Sequence, residues 1–427
     1  MRFLSRSAGY SHQDRKDNGV DVSSPAKNRG IHVEKYVMNF STYDPRTGTI
    51  NCDTGNVWFV TEENLNNDQK IFFKDKTYKQ QNVWISGYAG TGKSLMLVHA
   101  ARQILKDEPN ARLVIIVFTQ SLVEMFKRAL REMIPPLPRV PPVETYYSFM
   151  NGFMKYDYIL CDEVQDLTPR VLHAMCSRAK HVVVAGDPSQ SIYPQDPRWR
   201  ERTLEPSQIL PFLQGRDFFL PAVERFSETV IDVVKRFMSV NVFTNARSIS
   251  SNDTKIYLLK ASSTQSEIDY IVRTSKTVVE RGYTVAVLLP QQKKILEFFN
   301  MVLASCGKEP WECQNGAYGK PNFGILNQYL AACGIPMQYV GSGYGTFDSV
   351  KNMVIVMTYH SAKGLDFDYV FLPFCNTNFW VTYDREIAKR LFMVAMTRVR
   401  MNLYITYTGF PHQYLQSFSN LCTQRTI

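Results

Sequence analysis

Short apolar runs alternate with amphipathic helical stretches through most of the chain. The first series of strand-like runs lies at 83–86, 113–118, 158–161 and 182–185, with helical patterns at 95–105 and 121–133. This alternation predicts β-α-β units, in which a parallel sheet carries helices on both faces. The fold class expected from the pattern is therefore α/β.

A second series of the same kind follows a proline-containing segment at 198–211. Its strand-like runs lie at 256–259, 285–289, 353–357, 370–372 and 403–407, and its helical patterns at 267–281, 291–302 and 387–395. The repetition predicts two α/β domains of similar size, one over 61–205 and one over 206–427. Residues 1–60 are mostly polar, which indicates an N-terminal extension with short strands near 33–40 and 57–60. The sequence predicts no function for this extension.

Composition adds a charge and a compartment to this picture. The 427 residues carry a net charge of +10, which favours a polyanionic partner such as nucleic acid, although surface charge that only aids solubility gives the same number. The eight cysteines include no C-x-x-C pair, no apolar run is long enough to span a membrane, and the first residues lack the apolar core of a signal peptide. We expect an intracellular, cytoplasmic protein, and a nuclear location stays open.

The segment after the strand-like run at 83–86 carries the strongest chemical signal. Residues 87–94, Gly-Tyr-Ala-Gly-Thr-Gly-Lys-Ser, match the phosphate-binding pattern G-x-x-x-x-G-K-[ST] between a strand and a helix. Backbone N–H groups in such a loop point at phosphate oxygens. The expected nucleotide-binding residues are Gly87, Gly90, Thr91, Gly92, Lys93 and Ser94. Lys93 is expected at the β- and γ-phosphates, and the Ser94 hydroxyl on Mg²⁺.

Two further polar clusters follow strand-like runs of the first domain. Asp162 and Glu163 come directly after 158–161, which suits a carboxylate that holds Mg²⁺ beside a base that orients the attacking water. Gln190 and Tyr193 follow the run at 182–185. The Gln190 amide suits a γ-phosphate contact, and the Tyr193 ring suits base stacking.

In these motifs the chain resembles the superfamily 1 helicases of the UvrD/Rep/PcrA type. The similar segments, in the family's order, are 65–69, 87–94, 118–121, 145–149, 162–166, 186–193, 224–227, 358–367 and 394–398. The resemblance implies two RecA-like domains with ATP and Mg²⁺ in the cleft between them. It places Gln69, Gly364 and Asp366 at the nucleotide, and it brings Arg225 and Arg398 of the second domain to the γ-phosphate. It implies single-strand contacts for Phe118, Thr119, Tyr147, Tyr193, Thr358 and His360.

The chain departs from the family's pattern at several positions. Glu224 stands where a tyrosine usually stacks on adenine, Leu95 stands where an arginine is common, and Tyr147 stands where histidine is usual. The first two departures weaken the base stacking that the resemblance implies. The spacing between motifs leaves no room for the large helical insertions of Rep-like enzymes, which indicates a reduced two-domain motor.

The function implied by the resemblance is an ATP-dependent translocase or helicase on single-stranded DNA, with 3′→5′ polarity. RNA stays open as a substrate, because stacking surfaces and phosphate contacts accept both sugars. The alternative is an ATP-gated regulatory subunit that binds a nuclease or another replication or repair protein and unwinds little by itself. The complete hydrolytic set of Glu163, Gln190 and Arg398 argues against that alternative.

Overall fold

The structure is a computed structural model that describes residues 43–44, 49–51, 57–131, 137–196, 198–238, 242–314, 321–341, 343–345 and 353–427. Strands β1 (Tyr43–Asp44), β2 (Thr49–Asn51) and β3 (Val57–Val60) form a small antiparallel sheet. The strand predicted at 57–60 is thus present, and the one predicted at 33–40 lies outside the described residues. Both of the larger sheets that follow are parallel, which confirms the α/β class.

The first large sheet has six parallel strands in the order β6-β5-β7-β8-β4-β9. Its strands are β4 (Val83–Gly87), β5 (Leu113–Val117), β6 (Val143–Thr145), β7 (Tyr156–Cys161), β8 (Ala179–Gly186) and β9 (Arg216–Leu220). Its helices are α1 (Asn67–Asp75), α2 (Lys93–Asp107), α3 (Gln120–Arg131), α4 (Tyr146–Asn151), α5 (Pro169–Arg178) and α6 (Pro206–Leu213). Every residue of β4 and β5 is buried, as expected for parallel strands covered on both faces.

The second large sheet has seven parallel strands in the order β14-β15-β13-β16-β17-β12-β18. Two short strands, β10 (Ala222–Val223) and β11 (Arg247–Ser248), pair separately before it. The sheet consists of β12 (Lys255–Ala261), β13 (Val285–Leu289), β14 (Met337–Tyr339), β15 (Val354–Thr358), β16 (Phe367–Leu372), β17 (Val399–Thr408) and β18 (Thr423–Thr426). Its helices are α7 (Glu228–Met238), α8 (Thr264–Glu280), α9 (Gln292–Ser305), α10 (Phe323–Ala332), α11 (Arg385–Met396) and α12 (Gln413–Gln416).

Two elements that follow the domain boundary predicted between residues 205 and 206 join the first sheet. Helix α6 packs on α5, and β9 pairs with β4 at the edge of that sheet, so the first sheet with its helices includes residues up to Leu220. Helix α6 carries an internal proline, Pro211, and most β9 side chains are half-buried or exposed. Neither α6 nor β9 has the long apolar run that is typical of the central strands. The sequence pattern alone therefore assigned both elements to the second domain.

Strands β6, β14 and β18 were also absent from the sequence-based prediction. β6 and β14 have three residues each, too few to establish a period, and β18 has four exposed, polar residues. Both large sheets have apolar clusters formed by their two faces and the covering helices. Within the described ranges, no helix combines the length and apolar character needed to cross a membrane.

Candidate functional site

The glycine-rich loop joins β4 to α2 in a tight turn. Gly90 and Gly92 adopt φ angles of +75° and +83°, which glycine tolerates best. A Cβ at Gly90 would lie 2.6 Å from the Arg225 Cβ, and one at Gly92 would lie 2.5 Å from Gln69 Nε2. The loop therefore needs glycine at both positions, for backbone conformation and for space. Thr91 is buried within it, and its hydroxyl donates to the Tyr88 carbonyl at 3.0 Å.

Lys93 is the first residue of α2 and folds back over the loop. Its Nζ donates to the carbonyls of Gly87 at 3.0 Å and Tyr88 at 2.7 Å, and burial lowers its pKa. A cation above a glycine-rich turn at a helix N-terminus matches the charge of a triphosphate. The residues present therefore fit a nucleotide.

Ser94 and Asp162 meet across the carboxyl end of the first sheet. The Ser94 hydroxyl donates to Asp162 Oδ2 at 2.6 Å. Burial and the adjacent Glu163 raise the pKa of Asp162 to about 7, so the carboxylate would be stabilised by a cation beside it. One hydroxyl and one carboxylate oxygen are hard ligands that suit Mg²⁺ held together with phosphates and water. The predicted metal residues thus fit that ion.

Glu163 is held in an unusual backbone conformation. Its φ of +58° is left-handed, which is uncommon for a residue other than glycine and costs free energy that the surrounding structure must offset. The Gln165 amide donates to its carboxylate. Burial would raise the pKa of Glu163, but Lys363 and Lys93 outweigh it and lower the pKa below its usual value. Glu163 is therefore an ionised carboxylate directed into the cleft.

Lys363 crosses from the second domain into this carboxylate cluster. Its Nζ contacts the Asp166 carboxylate, donates to the Gln190 carbonyl at 2.7 Å, and lies 3.5 Å from Glu163 Oε2. Burial would lower the pKa of Lys363, but Asp166 and Glu163 raise it, so the side chain is charged. Lys363 was not among the predicted site residues. Its position inside the 358–367 motif was the available signal.

Arg398 and Gln190 form a second contact across the cleft. Arg398 Nη2 donates to Gln190 Oε1 at 3.0 Å, and the Gln190 amide donates to Asp187 Oδ2 at 2.7 Å. Arg398 lies between α11 and β17 rather than within the helix, and it is 2% exposed. Its guanidinium also donates to the carbonyls of Val394 and Leu365. Both predicted residues thus lie at the cleft, where they contact each other.

Arg225 and Asp366 form an ion pair on the second-domain side of the loop. Arg225 Nε lies 2.8 Å from Asp366 Oδ2, and Arg400 Nη2 lies 2.8 Å from Asp366 Oδ1. Burial would raise the pKa of Asp366, but Arg400 and Arg225 hold it well below its usual range. Gly364 also lies at the interface, since a Cβ there would be 3.0 Å from the Leu122 side chain of the first domain.

Gln69 is tied into the first domain by its own helix. Its Oε1 accepts from the Asn66 N–H at 3.0 Å, closing a capping box at the start of α1, and its Nε2 donates to the Thr91 carbonyl at 3.3 Å. Glu224 lies beside it and accepts from the Asn66 amide at 2.5 Å. Burial raises the pKa of Glu224. A carboxylate therefore occupies the place where the resemblance implies a stacking ring.

The aromatic residues predicted at the strand form a continuous row of rings. Phe118 stacks on Tyr193 at 4.9 Å and on Tyr146 at 5.1 Å, and Tyr146 contacts Tyr147 at 4.1 Å. Tyr193 also meets His360 of the second domain at 5.6 Å. The Tyr193 ring thus contacts rings of both domains and is half-buried. Burial and Lys363 lower the pKa of His360 to about 4, so its ring is neutral at pH 7.

The two threonines predicted to contact the single strand, Thr119 and Thr358, form local hydrogen bonds. The Thr119 hydroxyl accepts from the Leu122 N–H at 3.3 Å, near the start of α3. The Thr358 hydroxyl accepts from the Ser361 N–H at 3.1 Å, which stabilises the turn after β15. Tyr146 is a member of the ring row that the sequence-based prediction missed; it is 1% exposed and its hydroxyl donates to Asp196 at 2.7 Å.

Comparisons with known proteins show the family to which the chain is similar. The family model for the viral superfamily 1 RNA helicase core domain matches residues 83–312 of this chain. The family model for the UvrD-like helicase C-terminal domain matches residues 342–409. F-box DNA helicase protein 1 of Schizosaccharomyces pombe is 51% identical over 49 residues, which are 11% of this chain and 6% of that protein.

Two solved structures are similar at low identity. The C-terminal domain of a possible DNA helicase from Lactobacillus plantarum WCFS1 matches at 18% identity, over 47% of this chain and 98% of that one, with a TM-score of 0.30. Arterivirus nonstructural protein 10, a helicase, matches at 16% identity, over 80% of this chain and 63% of that one, with a TM-score of 0.41. Since the core-domain model alone spans more than half of the residues, the chain belongs to the superfamily 1 helicases and has a UvrD-like C-terminal part.

Proposed function

We propose that this chain is an ATP-dependent motor that moves along single-stranded nucleic acid. The observation that carries the proposal is the charged cluster across the cleft, where Lys363 and Arg398 of the second domain contact Asp166 and Gln190 of the first. Side chains from both domains surround the glycine-rich loop. A change in charge at the loop would therefore alter the contacts that hold the domains together.

The residues divide the chemical work by their positions. ATP with Mg²⁺ would supply a phosphoanhydride bond whose hydrolysis releases free energy. Lys93 and the loop N–H groups would hold the phosphates, while Ser94 and Asp162 would hold Mg²⁺. Glu163 would accept the proton of the attacking water, because it is ionised and directed into the cleft. Gln190, Arg225 and Arg398 would stabilise the charge that develops on the phosphoryl group.

The ring row offers a route from the cleft to the strand. Tyr193 belongs to the first domain and His360 to the second, so their contact changes whenever the cleft opens. A base stacked on either ring would therefore be bound when the cleft is closed and released when it opens. We propose DNA as the strand and 3′→5′ as the direction, because the C-terminal part is UvrD-like; the core-domain model, named for RNA helicases, keeps RNA as the competing substrate.

Steady-state hydrolysis with matched strands tests the proposal. Single-stranded DNA should raise ATP turnover several-fold, with matched RNA as the competitor, and Lys93→Ala should abolish turnover with either strand. Displacement of streptavidin from one end of a biotinylated strand reports movement and its direction. Turnover that neither strand stimulates would contradict the proposal.

The regulatory alternative predicts a different result in the same assays. A subunit that serves a nuclease or a replication or repair protein would hydrolyse ATP without displacing streptavidin until that partner is added. We propose that the chain moves by itself and that it acts inside the cell. Displacement by the purified chain would exclude dependence on a partner.

A further inference from the structure

A cavity of about 390 Å³ lies between α1 and the C-terminal half of α2. Its volume is within the range of pockets that hold a small ligand. Two carboxylates and five cations line it, and the cations are Lys70, Lys74, Lys76, Arg102 and Lys106. We refer to this cavity as the basic pocket. None of its five cations belongs to the site described above.

The two carboxylates of the basic pocket, Glu62 and Asp107, already have cations beside them. Lys76 Nζ lies 3.1 Å from Asp107 Oδ2, and Lys79 Nζ lies 2.8 Å from the same oxygen. Arg102 Nη1 lies 3.9 Å from Glu62 Oε2. The remaining positive charge of the pocket is therefore available to an anion from outside the chain.

Three lysines supply that remaining charge. Within the part of the chain that the structure describes, the side chains of Lys70, Lys74 and Lys106 form no ion pair or hydrogen bond. Lys70 and Lys74 are four residues apart on α1, so their like charges share one helix face and repel each other. The helix dipole favours Lys74 and Lys106, in the last turns of α1 and α2, but not Lys70 near the start of α1. An anion bound between the helices would offset this repulsion.

Apolar side chains form the floor of the basic pocket. Leu65 and Phe73 line it and are only 3% and 5% exposed. The Phe73 ring packs edge-on against Phe72 at 5.2 Å and lies 5.9 Å from the His99 ring, so the domain core fixes its position. An apolar floor inside a charged rim is the arrangement of a protein–protein contact. A ligand that suits this pocket combines an apolar group with negative charges around it.

The basic pocket is separate from the cleft. Helix α2 begins with Lys93 at the glycine-rich loop, and Arg102 and Lys106 lie about 14 to 20 Å from that residue along the helix axis. The helix runs from the carboxyl end of β4 back towards Leu113, where β5 begins. The pocket therefore lies towards the amino end of the first sheet, whereas the ring row and the glycine-rich loop follow the carboxyl ends of strands. An occupant would leave the cleft free.

We propose that the basic pocket binds a short acidic segment of another protein. An apolar side chain of that segment would contact Phe73, and carboxylates on either side of it would pair with Lys70, Lys74 and Lys106. The net charge of +10 disfavours a second copy of this chain as the occupant. A nucleic-acid strand would place phosphates at the lysines but no apolar side chain on the floor, so it is the competing occupant. This inference goes beyond the proposed function and does not depend on it.

Fluorescence anisotropy with a labelled acidic peptide tests the proposal. The probe has one phenylalanine between two pairs of aspartates, and the full chain is titrated into it without nucleotide or strand. Lys74→Glu and Lys106→Glu should each weaken its affinity by about 3- to 30-fold, because each change replaces an attraction by a repulsion. Both variants should melt like wild type, since neither side chain has a partner among the described residues. Lys260→Glu, at an exposed lysine on β12, is the matched control and should bind like wild type.

Altered probes separate the two parts of the ligand. Replacing the phenylalanine with serine should weaken binding, and so should replacing the aspartates with serines. Equal affinity for all three peptides, or wild-type affinity in both lysine variants, would overturn the proposal.

Labelled oligo-dT and inorganic triphosphate test the competing phosphate ligands. Their affinities should not change in Lys74→Glu or Lys106→Glu. A loss for either of them as large as the loss for the peptide would assign the basic pocket to phosphate groups and overturn the proposal. None of these outcomes bears on the proposed function, which ATP turnover and strand movement test separately.

Discussion

At the scale of single residues, the carboxylate of Glu163 offers the most direct chemical test. Glu163→Gln retains the shape and the contact with Gln165 but removes the proton acceptor. We expect ATP affinity to stay near normal while turnover falls by about 10² or more. Single-turnover hydrolysis beside equilibrium nucleotide binding measures both. Weak binding with high residual turnover would instead assign the base to Asp162.

Lys363 is the residue whose removal should affect the cleft most. Lys363→Met leaves Asp166 and Glu163 without their cation from the second domain, and an uncompensated buried charge costs about 3–5 kcal/mol. Opening of the cleft would let water solvate both carboxylates, so we expect a larger radius of gyration by small-angle scattering and slower hydrolysis.

Lys389→Met is the matched control for that variant. Lys389 pairs only with Glu386 of its own helix at 3.7 Å, among the ion pairs of the described residues. Such surface pairs contribute about 0–1 kcal/mol, so shape and turnover should stay unchanged. An unchanged radius of gyration in Lys363→Met would show that its cation does not hold the domains together.

At the scale of elements, the loop between β4 and α2 serves both the phosphates and the interface. Gly90→Ala adds a methyl group 2.6 Å from the Arg225 Cβ, in addition to the left-handed backbone penalty of about 1–2 kcal/mol. We expect this variant to lose hydrolysis far beyond its loss of stability, because the second domain can no longer approach the loop. Turnover and melting temperature are the two measurements.

Gly282→Ala isolates the backbone penalty. Gly282 has a φ of +84°, and an added Cβ would meet nothing within 4 Å. Its stability should fall by a similar amount while hydrolysis continues. If Gly90→Ala behaves like Gly282→Ala, the approach of Arg225 does not matter for turnover.

At the scale of the whole molecule, the contact of Arg398 with Gln190 reports closure of the cleft. Gln190→Ala removes this contact but leaves the bonds of Arg398 to Val394 and Leu365 in place. We expect small effects on melting temperature and a large loss of turnover. Arg398→Ala should slow hydrolysis by about 10³ and also destabilise the second domain, because two buried carbonyls lose their donors. Normal turnover in both variants would contradict the role of this contact.

Stability against acid should depend on His99, which is buried in α2 with Nε2 2.9 Å from the Val60 carbonyl. Burial lowers its pKa to about 4, below the ordinary value of 6.5. Between these values the unfolded chain binds the proton and the folded chain does not. The free energy of unfolding should therefore fall as pH drops from 6.5 towards 4, by up to about 3 kcal/mol from this residue.

Urea denaturation at pH 7.5 and 5 measures that slope. His99→Gln should reduce the difference in unfolding free energy between the two pH values, and His173→Gln, at an exposed position, should leave it unchanged. A slope that is identical in wild type and His99→Gln would assign acid sensitivity to other groups.

The order of residues along the chain was enough to predict the α/β class and the short motifs proposed to bind the nucleotide. The glycine-rich loop, Lys93 and Ser94 follow one another between a strand and a helix, and Asp162 directly follows β7, so short-range geometry is enough to place them. Strands with long buried runs were predictable for the same reason, whereas β6, β9, β14 and β18 lack such runs.

Only the tertiary structure decided how the two sheets face each other. Arg398 and Gln190 are 208 residues apart, and Lys363 and Asp166 are 197 apart. The contacts of Tyr193 with Phe118 and His360 likewise involve both domains. Such contacts form only when complete domains dock. The free energy of docking is a sum over many side chains, so no short segment of the sequence predicts it.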